Sequence, residues 1–288
     1  MTVDRRGFLA SLAGWVAAGP LCAGEARTAK YDVRQVAVAC GLPKPFRVLH
    51  LSDSHLVALS AKERENPLRE KLARERLATH QGREAAQGLA DMAAYAKAHG
   101  LPIVHTGDLI DFLGEAELAA AARFVSDTGA FVAAGNHEWC YHMYTKKESP
   151  HYLRELFLAR LCEVYQNDLD CSAKVMGGVN FVQFDNWNYQ IGEKQNAFIR
   201  QELGRGLPTA LMCHCPILEM LEPVPKQAWR KPTACTRDAL AYLQSCENLR
   251  VALCGHRHKF AEARFSPTAM QYIVSATSAR AGYEVTFN

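Results

Sequence analysis

The sequence has little net charge, no internal repeat and no low-complexity linker. Its 33 Lys and Arg residues nearly balance 30 Asp and Glu residues, which leaves a net charge of +3. A charge this slight does not by itself indicate a nucleic-acid partner. After the N-terminal segment, no apolar run is long enough to form a transmembrane helix. We therefore expect no transmembrane span in the mature chain and no binding of nucleic acid.

The composition is that of an ordinary globular protein. Hydrophobic residues make up 49% of the 288 residues and charged residues make up 22%, which are typical values for a folded domain. A chain of this length can bury a large core. We therefore expect one main domain.

The first 26 residues resemble an export signal. Arg5 and Arg6 precede an apolar stretch over residues 8–18, and a region of small residues ends at Ala26. This pattern predicts a twin-arginine-type signal over residues 1–26, cleaved after Ala26, and a mature domain over 27–288 in the periplasm or cell envelope. The alternative is an uncleaved amphipathic or membrane-tethering segment.

The cysteines fit an oxidising compartment only in part. Ten are present and nine of them follow the predicted signal, so at least one thiol must stay free or pair between molecules. Among the possible disulfides we favour a surface pair of Cys162 with Cys171.

Five short motifs supply carboxylate, amide or imidazole side chains, and none relies on thiolate. In chain order they are Asp53-Ser54-His55, Gly107-Asp108, Gly135-Asn136-His137-Glu138, His214 and Gly255-His256-Arg257-His258. Short apolar runs precede or enclose them, over residues 46–51, 103–104, 131–134, 210–213 and 251–254. Runs of this length bounded by turn residues predict buried strands of an α/β sheet. Side chains that follow the carboxyl ends of such strands converge on one crevice.

This convergence predicts a site for two metal ions. Two ions about 3.5–4 Å apart need one shared ligand, and Asp108 is the natural bridge because its motif contains a single acid. Asp53, His55 and His258 can complete the first ion. For the second ion the candidate ligands are Asn136, His214 and His256. This allotment leaves His137 without a metal and available as an acid.

The five motifs resemble those of the calcineurin-like metallophosphoesterase family, D-x-H, G-D, G-N-H-[DE], H and G-H-x-H, over about residues 46–285. The resemblance implies a four-layer α-β-β-α sandwich of two mixed sheets. It also implies a dinuclear-metal hydrolase that cleaves phosphomonoesters or phosphodiesters by attack of a metal-activated hydroxide. In this family the metal roles fall on the residues allotted above, His137 is the general acid and Asn136 lies beside it as a ligand.

The resemblance also bears on the metals and the substrate. Ligation by nitrogen and oxygen suits two divalent or trivalent ions of iron, manganese or zinc. In the purple acid phosphatase branch a Tyr stands three residues after the bridging Asp, whereas here Asp111 does, so no tyrosinate–iron ligand is expected. We expect a small-molecule phosphoester as the substrate.

Two other functions are compatible with the same motifs. A non-catalytic metal-binding scaffold of this fold would be expected to have lost ligands, and here no ligand is missing. A nuclease of the same family would need a basic groove, whereas Lys and Glu are interspersed along this chain.

The segments between the motifs predict mostly alternating strands and helices. Residues 61–78 are rich in charge, and the pairs Glu65–Arg69 and Glu70–Arg74 predict a solvated helical insertion. Residues 139–172 are rich in aromatic side chains and are either a cap over the metal site or an excursion packed on the sheet edge. Other predicted helices cover residues 83–98, 115–126, 195–203 and 236–245, the last capped by Thr236. Further strands are predicted over residues 179–184, 271–275 and 283–287, the last two closing a second sheet.

The export signal makes a direct prediction. Replacing Arg5 and Arg6 together by Lys should remove the protein from the envelope fraction, because the twin-arginine route reads the arginine pair. The mature N-terminus of the wild-type protein should lie near Arg27. Cell fractionation and N-terminal sequencing measure both, with Arg34→Lys as the control substitution in the mature domain. An N-terminus that still begins at Met1 or Thr2 would contradict cleavage.

Overall fold

The structure is a computed structural model that describes residues 31–139, 150–221 and 231–288, and for residues 150–152 it describes the backbone alone. The predicted signal over residues 1–26 therefore lies outside the described residues, as do residues 140–149 of the predicted cap. Within the described residues, none of the helices combines the length and the apolar character that a bilayer crossing requires.

The described chain forms two mixed β-sheets. The strands of the first sheet are β1 (Asp32–Val38), β2 (Phe46–Leu51), β3 (Ile103–His105), β4 (Phe131–Val132) and β11 (Ala281–Phe287). Their order is β1-β11-β2-β3-β4, and the pairs are parallel except for β11 with β2. The parallel β2, β3 and β4 therefore end at the same edge of this sheet.

The second sheet contains six strands. They are β5 (Cys171–Met176), β6 (Val179–Phe184), β7 (Thr209–Met212), β8 (Leu249–Cys254), β9 (Ala261–Arg264) and β10 (Met270–Ile273). Their order is β5-β6-β7-β8-β10-β9, with antiparallel pairs only at the two edges. The central β7 and β8 are parallel neighbours, so the segments that follow them also start side by side.

Helices cover the outer face of each sheet. The α-helices of the described residues are α1 (Ala61–Arg64), α2 (Pro67–Ala78), α3 (His80–His99), α4 (Glu115–Thr128), α5 (Pro150–Tyr165), α6 (Glu193–Leu203), α7 (Ile217–Leu221) and α8 (Ala234–Ser245). Apolar residues of α3, α4 and α5 pack on the first sheet, and those of α6, α7 and α8 pack on the second. A third apolar cluster fills the space between the sheets. The four-layer α-β-β-α fold expected from the family resemblance is confirmed.

Alternation of apolar residues along the strands explains these layers. In β8, Val251 and Leu253 face the cluster between the sheets, while Ala252 and Cys254 face the helices. Successive side chains of a strand point to opposite faces, so a strand covered on both faces must be apolar at nearly every position. The short apolar runs recognised in the sequence have this character, and the strands predicted at all five are present.

Several details of the sequence prediction were wrong. The strand predicted over 131–134 ends at Val132. The strand predicted over 283–287 belongs to the first sheet, where β11 inserts between β1 and β2, whereas β10 belongs to the second. Strands β1, β5 and β9 were not predicted. Helix α8 is capped by Thr233, whose hydroxyl accepts from the backbone N–H of Thr236, and not by Thr236.

The charged segment over residues 61–78 forms two helices rather than one. Asn66 caps α2, so Glu65 lies outside that helix and Arg69 pairs with Glu63 at 3.5 Å instead. The predicted pair Glu70–Arg74 is present at 3.3 Å.

The predicted disulfide between Cys162 and Cys171 is absent, and both residues are free cysteines. The sulfur of Cys162 instead accepts a hydrogen bond from the backbone N–H of Leu169. None of the other described cysteines forms a disulfide either.

The described part of the aromatic segment over 139–172 packs against the first sheet. Trp139, Leu161 and Tyr165 are buried in the cluster beneath α3 and α4. This packing agrees with the structural alternative for these residues. A cap over the metal site stays a prediction, because residues 140–149 lie outside the described chain.

Candidate metal centre

The predicted ligands lie at the carboxyl ends of five strands, where the two sheets face each other. Asp53 and His55 follow β2, and Asp108 follows β3. The other ligands are Asn136 after β4, His214 after β7, and His256 and His258 after β8. The structure brings all seven of them together with His137, so none of the predicted site residues is left outside the cluster.

Their backbone is unusual. Five of the eight non-glycine residues with positive φ in the described chain are predicted ligands, namely Asp53, His55, Asp108, His256 and His258. This left-handed conformation is uncommon for residues with a Cβ and persists where the surrounding structure enforces it. The tight turns that follow the strands point these side chains into one space.

One half of the cluster contains Asp53, His55 and His258. Nε2 of His258 lies 3.1 Å from Oδ1 of Asp53 and 3.0 Å from Nε2 of His55. These three side chains can offer one ligand atom each within 4.8 Å of one another. They have the composition and spacing of three ligands around one ion.

The other half contains Asn136, His214 and His256. Oδ1 of Asn136 lies 3.1 Å from Nε2 of His214 and 2.9 Å from Nδ1 of His256. The two imidazole nitrogens are 3.2 Å apart. This is a second set of three ligand atoms around one point.

Asp108 lies between the two halves. Its Oδ2 is 3.7 Å from Nε2 of His55 and 3.1 Å from Nε2 of His214. One carboxylate oxygen thus faces a histidine of each half, which is the position that a bridging ligand occupies.

Hydrogen bonds behind two histidines fix which ring nitrogen faces the site. Nδ1 of His214 donates to the carbonyl of Thr106 at 2.9 Å, and Nδ1 of His55 donates to Asp111 at 2.8 Å. In the neutral rings Nε2 then carries the lone pair. Partners of this kind hold metal-binding histidines in the ligating tautomer. The donor set of imidazole, carboxylate and amide therefore fits a metal ion without thiolate.

The two buried carboxylates strongly attract positive charge. Burial opposes ionisation of Asp53, but His258 and His214 lower its pKa to about 2. Burial likewise opposes ionisation of Asp108, but His214 and His137 hold the pKa of this carboxyl well below its usual range. Both carboxylates are thus anionic at neutral pH, as metal ligands must be.

Backbone N–H groups tie the loops together through the same carboxylates. The N–H of His256 lies 3.1 and 2.9 Å from the two oxygens of Asp53, which joins a loop of the second sheet to one of the first. The N–H of His137 donates to Oδ1 of Asp108 at 2.7 Å. The two carboxylates therefore shape the site as well as offering ligand atoms.

Two glycines of the motifs are required by close packing. A Cβ at Gly135 would lie 2.2 Å from Oδ1 of Asp108, and a Cβ at Gly255 would lie 1.8 Å from Oγ of Ser52. Such distances are far below van der Waals contact, so glycine is needed wherever another loop approaches the backbone this closely.

Glu138 is a site residue to which the sequence analysis gave no role. Its fully buried carboxylate accepts from the backbone N–H groups of Asp108 at 3.0 Å, Leu109 at 2.8 Å and Gly135 at 2.6 Å. The hydroxyl of Tyr165 donates to the same carboxylate at 2.8 Å. Glu138 thus joins the loop that carries Asp108 to the loop that carries Asn136. The acid at the end of the G-N-H-E motif was the available signal.

His137 lies beside the cluster and is held by Asp111. Its Nδ1 is 3.0 Å from Oδ1 of Asp111. Burial disfavours its charged form, but Asp108 and Asp111 raise the pKa of His137 to about 9. His137 also forms a third group of possible metal-binding atoms with His55 and Asp108, so geometry alone permits either a proton donor or a ligand.

Comparison with known proteins agrees with this description. A model of the calcineurin-like phosphoesterase family matches residues 46–260, which is most of the chain. The chain therefore belongs to the calcineurin-like phosphoesterase family, and it is a metal-dependent phosphoesterase.

Solved structures with a similar fold include a dimetal phosphatase from Danio rerio. It is 14% identical, with 82% of this chain and 91% of that chain covered and a TM-score of 0.52. A 5'-nucleotidase from Candida albicans is 11% identical, with 86% of this chain and 47% of that chain covered and a TM-score of 0.43. At this identity the likeness to the phosphatase concerns the fold alone. A comparison with curated protein sequences gives no match.

Glu138 provides a test of how the loops are held. Glu138→Ala leaves at least three buried backbone N–H groups without an acceptor, each costing about 1–3 kcal/mol. The free energy of unfolding should therefore fall by at least about 3 kcal/mol, measured by denaturant titration. Glu163→Ala removes an exposed acid from α5 and should change stability by less than about 0.5 kcal/mol. Equal stability of the two variants would contradict the role given to Glu138.

Proposed function

We propose that this protein hydrolyses phosphoric esters of small molecules at a dinuclear metal centre, with His137 as the general acid. The observation that supports this most directly is the position of Asp108 between a histidine of each half, at 3.7 and 3.1 Å. Two ions that share one ligand would use such a carboxylate as the bridge.

Each ion would have its own set of ligands in addition to Asp108. Asp53, His55 and His258 would hold one ion. Asn136, His214 and His256 would hold the other. Iron, manganese and zinc all accept such nitrogen and oxygen ligands.

Bound metal ions would neutralise the phosphate oxygens and lower the pKa of a water molecule so that it can attack phosphorus at neutral pH. The residues of the chain would contribute in other ways. Asn136 is a neutral ligand and adds no negative charge beside an anionic substrate. His137 would donate a proton to the leaving alcohol.

The environment of His137 supports its role as a proton donor. Asp111 accepts at Nδ1 and so orients the ring, and proton transfer to a substrate would use Nε2. Positioned acids of this kind contribute about 10²–10⁴-fold to the rate. Because His137 also lies close to His55 and Asp108, its role must be separated from that of a ligand by experiment.

We also propose that the enzyme works outside the cytoplasm. The support is the arginine pair before an apolar stretch in residues 1–26. The twin-arginine route carries folded proteins, which suits an enzyme that acquires its metals before export.

Asp108→Ala should abolish hydrolysis and reduce the metal content of the purified protein at both positions, because the shared ligand is lost. Elemental analysis and an assay with phosphomonoesters and phosphodiesters measure the two effects. Asp127→Ala, which removes an exposed acid from α4, is the matched control and should behave as the wild type. Full activity of Asp108→Ala would exclude the dinuclear mechanism.

His137→Ala should keep both metal ions and lose most of its turnover. The loss should reach about 10²–10⁴-fold on alkyl phosphate esters, whose alkoxide needs a proton, and should be smaller on nitrophenyl esters, whose anion leaves unaided. His99→Ala, at an exposed histidine, serves as the control. Equal loss on both kinds of ester, or loss of a metal ion, would show that His137 is not the acid.

A further inference from the structure

The last turn of helix α2 contacts the metal centre through Asp111. Nε of Arg76, in the last turn of α2, lies 2.8 Å from Oδ2 of Asp111. The N–H is not aligned for a hydrogen bond, so the contact is an ion pair. A segment whose charge pattern predicts only a solvated surface therefore contributes one cation to the interior of the site.

Asp111 is the residue through which this cation can act. Its other oxygen, Oδ1, lies 2.8 Å from Nδ1 of His55 and 3.0 Å from Nδ1 of His137. The side chain of Asp111 is only 2% exposed, so each oxygen depends on protein groups for its partners. Arg76 on one oxygen and two imidazoles on the other hold this carboxylate in a single orientation.

The corner between α2 and α3, which spans residues 76–82, holds Arg76 in place. Thr79 ends α2 and also caps α3, donating its hydroxyl to the carbonyl of Arg76 at 2.7 Å and accepting from the N–H of Gly82 at 3.0 Å. A Cβ at Gly82 would lie 2.2 Å from the carbonyl oxygen of Arg76. Glycine at this position lets α3 pack directly on the backbone of Arg76.

The same corner contacts a second histidine of the centre. The side-chain amide of Gln81 lies 3.2 Å from Nδ1 of His258. The ring nitrogens of His55 and His258 that face each other across the site are Nε2. The opposite nitrogen of each ring is Nδ1. Gln81 contacts Nδ1 of His258, and Asp111, which Arg76 holds, contacts Nδ1 of His55.

We propose that Arg76 is a positioning residue of the metal centre, which holds Asp111 and through it the rings of His55 and His137. The catalytic meaning of this role rests on the proposed function. Its effect on metal binding does not, because the orientation of His55 matters whether or not an ester is cleaved.

The proposal is tested with Mn²⁺ as the probe, titrated into metal-free full-length protein by calorimetry. Arg76→Gln should bind Mn²⁺ about 10–100-fold more weakly, the usual effect of removing a group that orients a metal ligand. Arg76→Lys keeps the charge and should recover part of the loss. Arg74→Gln, two residues away on the same helix and largely exposed, is the matched control and should bind as the wild type does.

A double-mutant cycle separates positioning from general destabilisation. If Arg76 acts through Asp111, the variant Asp111→Asn with Arg76→Gln should bind Mn²⁺ no more weakly than Asp111→Asn alone. Thermal melts of every variant show that the compared proteins are folded. Wild-type affinity in a folded Arg76→Gln variant, or losses that multiply in the double variant, would overturn the proposal.

The activity assay keeps this test distinct from that of the function. On alkyl phosphate esters, Arg76→Gln at saturating Mn²⁺ should lower kcat more than it changes KM, because His137 is held less well. If the wild type cleaves none of the esters while the Mn²⁺ cycle is non-additive, the proposed function fails and the positioning role stands. If the wild type is active and the cycle is additive, the proposed function stands and the positioning role of Arg76 fails.

Discussion

The burial of two carboxylates between the sheets is the constraint on which this structure depends. Asp53 and Asp108 are almost fully inaccessible to solvent, and burying an unpaired carboxylate is strongly unfavourable. Asp53 is compensated by the backbone N–H of His256, and Asp108 by that of His137. Each bond joins loops that are remote in sequence, so the same contacts that satisfy the carboxylates also bring the strand ends together. The hydrogen bond between His256 and Asp53 therefore both fixes how the two sheets lie against each other and assembles the site.

The site could be predicted from the sequence because its information is local. Each ligand follows a short apolar run, and parallel strands bring their carboxyl ends to one edge whatever the details of the sheet. The family resemblance supplied the two-sheet architecture. The sheet to which a strand belongs depends on partners distant in the chain, so the same reasoning misplaced β11. Strand β1 was also not predicted. It lies at the edge of its sheet and is only partly buried, so polar residues interrupt its apolar ones. Boundaries failed where a tertiary contact decides them. The hydroxyl of Thr236, the expected cap, accepts from the backbone N–H of Ile191 and donates to Gln190, and Thr233 caps the helix instead.

The contributions of Glu138 and Arg76 could not be read from the sequence. The sequence marks Glu138 only as the acid that ends the G-N-H-E motif. It does not reveal what the carboxylate binds, since the partners are backbone N–H groups of other residues and not side chains. Arg76 belongs to a helix in which Glu and Arg alternate, and pairs such as Glu70–Arg74 are indeed on the surface. Charge patterning describes the average face of a helix. It does not identify the one cation that the last turn places beside Asp111, because that depends on the corner at Thr79.

The strained backbone at the ligands has to be held by the protein. A residue with a Cβ in an unfavourable φ region costs about 1–3 kcal/mol, and five predicted ligands adopt positive φ. Hydrogen bonds between backbone groups hold two of these turns. The N–H of Asp53 donates to the backbone carbonyl of Gly107 at 3.0 Å, and the N–H of His55 donates to the backbone carbonyl of Asp108 at 2.9 Å. In the second sheet the N–H of Gly255 donates to His214 at 3.0 Å. These hydrogen bonds are made between backbone groups and stabilise the loops in the conformation that brings the ligand atoms together. A cation would therefore meet donor atoms that are already oriented. Such preorganisation is what a site requires if its geometry is to serve catalysis.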